Sequence, residues 1–260
     1  MRAAILALLA LAGAARGQPV PLVKSLGPEP PRNVLYVGNS FFYFNQGLQN
    51  VVRELLRAAV PGGEFEARLE AIGGASLSRH DVESYLQPGA PEAVPGKGKH
   101  ALVESEPSFD AVILADCSQC PIHPKLKGDF RVFARKDAEI AVRHGARPVL
   151  FMTWAYRDRP EMTRQLADAY TEIANENQAL VIPAGLAFSA ARDRDPSIDL
   201  YNPDGRHPSP AGTYLAACTV LAAVYETSPV GNPHHGGLDA KTAATLQAVA
   251  EETVKKYLGR

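Results

Sequence analysis

Apolar positions along the chain fall into two alternating kinds of run. Short, nearly continuous stretches come first: NVLYVGNS (Asn33 to Ser40), DAVILAD (Asp110 to Asp116), RPVLFMTWAY (Arg147 to Tyr156) and ALVIPAG (Ala179 to Gly185). Runs of this kind, bounded by Gly, Pro, Asn or Ser, predict strands buried on both faces. FEARLEAI (Phe65 to Ile72) alternates instead and suits an edge strand. Between them lie stretches with helical spacing. Leu48, Val51, Val52, Leu55 and Leu56 form one, stopped by Pro61-Gly62-Gly63. Further helices are expected from about Gly128 to His144, Pro160 to Asn177, Ser209 to Tyr225 and Asp239 to Leu258. Strand and helix alternate throughout. The pattern predicts a three-layer α/β/α domain around a parallel five-stranded sheet.

The two ends of the pattern differ from its middle. MRAAILALLALAGAARGQ sets Arg2 before an apolar stretch that closes on small residues, the layout of a secretory signal peptide over residues 1–18. The run is too short for a permanent bilayer helix. Residues 19–31 are proline-rich and expected to be extended, and the folded domain is expected over 32–260. QPGAPEAVPGKGK (Gln87 to Lys99) reads as a surface loop. Export makes the expected location secreted or periplasmic. It also permits, without requiring, a disulfide between Cys117 and Cys120, with Cys218 left over.

A net charge of −1 and scattered basic residues give no footprint for nucleic acid. No metal is expected, since the two close cysteines lack a second ligand pair at zinc spacing. His80, His100, His123 and His144 have no carboxylate at a suggestive spacing and read as surface or structural residues. His234-His235 reads as a turn, and Arg206 as an exposed loop arginine. Cys117-x-x-Cys120 invites a thiol oxidoreductase reading, but Pro121 and Pro124 oppose the helix such a motif needs.

In open parallel sheets, ligands bind beyond the carboxyl ends of the strands. The residues there are Gly38-Asn39-Ser40, Gly73-Gly74-Ala75-Ser76 and Asp116-Cys117-Ser118-Gln119, with Asp204-Gly205-Arg206-His207 before a late helix. A serine becomes a nucleophile when a base takes its proton and a third group orients that base. Ser40, His207 and Asp204 can fill those roles. Ser209 and Pro210 suit the entry to the helix that follows. Trp154 and Tyr156, at the end of the fourth strand, could line an acyl or sugar pocket or belong to the core.

These blocks resemble the SGNH (GDSL-like) hydrolase family. GNSFF, the GGAS turn and DGRHPSPAGTYLAA match its first, second and last blocks, and the resemblance spans Val34 to about Ser228. The chain looks closer still to a branch carrying GNSFF and a DGxHPSxxGxYLAA tail. The resemblance implies a flavodoxin-like sheet, no cofactor, and hydrolysis of a small-molecule or carbohydrate ester through an acyl-enzyme. Ser40, Asp204 and His207 would be catalytic, and the amides of Ser40 and Gly74 would belong to the oxyanion hole. The family's third block usually offers an asparagine, whereas this chain reads LADCSQCP. Gln119 is the substitute named for it, with Ser118 and Cys117 as alternatives. A fold-conserving binding protein without activity is the competing reading.

Overall fold

The computed structural model describes residues 18–87 and 108–260. The expected signal segment, apart from its last residue, and all but the first residue of the Gln87–Lys99 loop lie outside the described residues. Five parallel strands form one sheet in the order β2-β1-β3-β4-β5. They are β1 (Asn33–Gly38), β2 (Glu66–Ala71), β3 (Ala111–Leu114), β4 (Arg147–Phe151) and β5 (Leu180–Ile182). The register pairs Tyr36 with Leu69 on one side and with Ile113 on the other. β2 is an edge strand and is only partly buried, in keeping with its alternating sequence.

Successive strand residues point to opposite faces, and each face has its own core. Val34, Tyr36, Ile113, Val149 and Phe151 pack with α2 (Leu48–Ala59), α6 (Ala184–Arg194), α7 (Pro210–Val224) and α8 (Ala240–Leu258). Leu35, Val37, Val112, Leu114 and Leu150 pack on the other side with α3 (Val82–Tyr85), α4 (Lys127–Arg143) and α5 (Met162–Glu176). α1 (Ser40–Tyr43) is a single turn directly after β1. α7 is apolar on every side and buried from Ala211 to Val224, which makes it the central helix of its layer. Among the described residues, no helix is long and apolar enough to cross a membrane.

Several expected boundaries change. β4 ends at Phe151, and Met152–Tyr156 leaves the sheet as buried irregular chain. β1 stops at Gly38, so Ser40 opens a helix instead of ending a strand. β5 stops at Ile182, because Pro183 caps and the residues after it form α6, a helix the sequence pattern does not predict. Its buried positions Ala184, Ala187, Phe188 and Ala191 have helical spacing, but alanines gave the pattern little contrast. The proline-rich segment holds no helix or strand and is anchored. Asn175 accepts from the Leu22 amide at 2.8 Å and donates to the Val20 carbonyl at 2.9 Å.

α6 passes close to the chain leaving β4, and only glycine permits that approach. A Cβ on Gly185 would stand 2.3 Å from the Thr153 carbonyl oxygen, a backbone atom that cannot swing aside. Gly185→Ala is therefore expected to lower stability by about 1–3 kcal/mol, the usual cost of overpacking, as read from the denaturant midpoint. On the opposite face, Asp137 of α4 is 1% exposed, and neither of its carboxylate oxygens has a hydrogen-bond partner among the described residues. Burial pushes its carboxyl up to about 7, against the pull of Lys136 and with the help of Asp116 and Asp81. The folded state thus holds a proton that the unfolded chain releases between about pH 4 and 7, and stability falls as pH rises through that window. Asp137→Asn removes this slope. It should stabilise the protein by up to a few kcal/mol at pH 8 and by much less at pH 4, measured by chemical denaturation at the two pH values.

Candidate active site

The loops after β1, β2 and β3 all open at one edge of the sheet, as parallel strands require. The side chain of Asn39 binds them together. Its amide donates to the Ala75 carbonyl at 3.1 Å and to the Asp116 carbonyl at 3.0 Å, while its oxygen accepts from the Phe41 amide and caps α1. Asp116 adds a second tie, accepting from the Leu77 amide at 3.0 Å and its own neighbour Cys117 at 2.7 Å. Burial pushes the Asp116 carboxyl up to about 6, partly offset by those two N–H donors. His80 is buried and donates to the Gly38 carbonyl at 2.9 Å, a structural role.

At the far end of the chain, Asn202–Pro208 forms a tight turn. Asn202 donates its amide to the His207 carbonyl at 2.8 Å, and Gly205 takes a φ of +69°, a backbone region that favours glycine. Ser209 then caps α7 by accepting from the Gly212 amide, and its hydroxyl donates to the Asp199 carbonyl at 2.7 Å. The turn is thereby set on the entry of the most buried helix.

This turn meets the loop after β1 at Ser40. His207 Nε2 lies 2.9 Å from Ser40 Oγ, and His207 Nδ1 is hydrogen-bonded to Asp204 Oδ2. Asp204 Oδ1 accepts from the amides of Arg206 at 2.9 Å and His207 at 3.0 Å. Desolvation opposes the Asp204 charge, but the imidazole and those two amides outweigh it and hold the carboxyl at about 2. The Phe44 ring stacks on the imidazole with centroids 4.3 Å apart. Asn45 reaches from the same loop to the Pro208 carbonyl and the Thr213 hydroxyl, each at 2.8 Å. The three residues chosen from the sequence thus form one hydrogen-bonded chain from carboxylate to hydroxyl.

The amide N–H groups of Ser40 and Gly74 donate to no acceptor among the described residues, which leaves them available to a ligand. Gly74 sits at φ +67° with open space where a Cβ would be, so its conformation, not crowding, calls for glycine. Gln119 is less well integrated. Its carbonyl accepts from Ile122 and His123, but its side-chain amide makes no hydrogen bond among the described residues. Of the alternatives to it, the Ser118 hydroxyl is paired with the Tyr156 hydroxyl at 2.7 Å, and Cys117 is in a disulfide with Cys120.

α4 begins at Lys127, well past Cys120, so the CxxC is not at a helix start. Asp116 with these two cysteines is the one grouping of three metal-type donors among the described residues, and its sulfurs are bonded to each other. His144 pairs with Glu83 at 2.7 Å. Arg206 is exposed, with its guanidinium 4.7 Å from the Tyr156 ring centroid. Trp154 is fully buried. A cavity of about 550 Å³ behind the turn, lined by Arg157, Phe188, Arg192 and Tyr201, contains none of Ser40, Asp204 or His207.

No protein-family profile and no curated protein matches the chain. Solved structures do. A protein from Slackia heliotrinireducens assigned to the SGNH hydrolases matches at 24% identity with a TM-score of 0.56, over 74% of this chain and 97% of that one. A DUF4886 family protein from Bacteroides uniformis matches at 22% identity and TM-score 0.58, over 85% and 93%. An acetylxylan esterase from Geobacillus stearothermophilus matches at 15% identity and TM-score 0.54, over 74% and 94%. With its five parallel strands, flanking helices and site at the strand ends, the chain has the fold of the SGNH hydrolases.

Proposed function

We propose that the protein is a serine esterase, exported from the cytoplasm, that hydrolyses small acyl esters through an acyl-enzyme. The observation that carries this reading is the continuous relay from Asp204 through His207 to Ser40. Ser40 Oγ attacks the ester carbonyl carbon as His207 Nε2 takes its proton. Asp204, ionised down to about pH 2, keeps the imidazole in the tautomer that can accept that proton and stabilises the imidazolium. The tetrahedral oxyanion takes hydrogen bonds from the Ser40 and Gly74 amides, each worth about 3 kcal/mol in such sites. Gln119 carries the amide on the third-block loop from which a third donor would come. His207 then protonates the leaving alcohol, and water, activated by the same imidazole, releases the acid and frees Ser40.

Acetyl esters of carbohydrates fit this reading best. The similar structures include an acetylxylan esterase, whose catalytic mutants alter one serine and one aspartate. The apolar leader supports action outside the cytoplasm, where such esters occur on polysaccharides. The competing reading as a thiol oxidoreductase is disfavoured by the position of Cys117 and Cys120 away from a helix start.

Hydrolysis of nitrophenyl acetate should be lost by a factor of at least about 10³ in Ser40→Ala and retained in Cys117→Ser. Equal rates for wild type and Ser40→Ala would rule out the nucleophile. A wild type that an active-site phosphonate does not label would mark a binding protein. Across a panel of acyl lengths, acetyl should turn over fastest, and a preference for long chains would reverse the substrate assignment.

A further inference from the structure

Trp154 is the single tryptophan of the chain and is completely buried on the irregular segment that leaves β4. Its indole lies flat between two phenylalanines. Phe41 stacks on one face at 4.4 Å and 5° between planes, and Phe188 on the other at 4.1 Å and 3°. Phe41 directly follows Ser40. At its edge, the indole N–H donates to the Arg206 carbonyl at 2.9 Å, and Arg206 directly precedes His207. One rigid side chain therefore touches the neighbour of the nucleophile with its face and the neighbour of the base with its edge.

The rest of the segment grips the same turn further from the imidazole. Arg157 donates its amide to the Gly205 carbonyl at 2.9 Å and its guanidinium to the Tyr201 carbonyl at 3.0 Å. Trp154 reaches the peptide next to His207 itself. A tryptophan moves little once stacked on both faces, and its N–H fixes the direction of the Arg206 carbonyl that accepts from it. The bond is thus a directional constraint on the turn.

We propose that Trp154 is a positioning residue, which sets the distance between Ser40 Oγ and His207 Nε2 by stacking on Phe41 and holding the Arg206 carbonyl. The inference rests on the esterase reading above, because the distance matters only if His207 takes the serine proton. Displacements of about 1 Å in such geometry cost on the order of a hundredfold in rate, so loss of one constraint on it should cost about tenfold.

Because the chain has one tryptophan, the N–H can be removed without changing the ring. Protein made in a tryptophan auxotroph with benzothienylalanine carries sulfur in place of the indole N–H, and a fluorinated tryptophan that keeps the N–H serves as the conservative variant. The benzothienyl protein should show kcat lowered about tenfold with KM unchanged, while the fluorinated protein keeps the wild-type kcat. Trp154→Phe should lower kcat in the same direction. An unchanged kcat in the benzothienyl protein overturns the proposal, as does an equal loss in both analogues, which would mark Trp154 as core only. The two readings fail separately. A wild type no faster than Ser40→Ala removes the esterase reading and this inference with it, whereas a Ser40-dependent rate indifferent to the indole N–H removes only the role of Trp154.

Discussion

The buried amide of Asn39 donates to carbonyls of two other loops, and the edge of the sheet that holds the candidate site is organised around that sharing. Parallel strands bring their carboxyl ends to one edge but leave the loops there free to differ in height and direction. Asn39 removes that freedom for three of them at once. A side chain with one acceptor and two donors is needed, since the same residue must also cap the turn that carries Ser40. An aspartate, acceptor-only when ionised, would leave both carbonyls unpaired in the interior.

The second half of the site is built differently. The Asp204 and His207 turn gains its rigidity from what lies on either side of it. Behind it stands α7, capped by Ser209 and buried from Ala211 to Val224. In front stand Phe44 and Asn45, which follow the turn that carries Ser40. Beneath it runs the chain from β4, with Trp154 and Arg157 bonded to its carbonyls. Asp204 itself remains exposed, and its charge is held by short-range donors, not by burial.

How much of this was legible depended on how local the signal was. The strands showed as apolar runs because a parallel sheet is buried on both faces, and the Asp204–His207 pair showed because its two residues stand three positions apart in one turn. Ser40 was legible from its place after the first strand, although it opens a helix. α6 was missed because its buried face is mostly alanine, which contrasts weakly with its surroundings. Trp154 gave no clue to its work, since its partner is a backbone carbonyl 52 residues away and any residue could supply that carbonyl. Asp116 was hidden for the same reason: its partners are amides, one of them 39 residues distant.

The loop after α1 carries Asn45, Gln46 and Gly47 at φ values of 52°, 70° and 93°, and two of these are not glycine. Each such non-glycine residue costs about 1–2 kcal/mol by itself, so the loop has little reason to take this shape alone. What compensates is Asn45 reaching Pro208 and Thr213, residues 163 and 168 positions later. Ser40 emerges early in synthesis and the groups that complete its surroundings emerge late. Contacts of such long sequence separation form slowly, so Ser40 acquires its hydrogen-bonded surroundings only after the residues near 204–213 have been made.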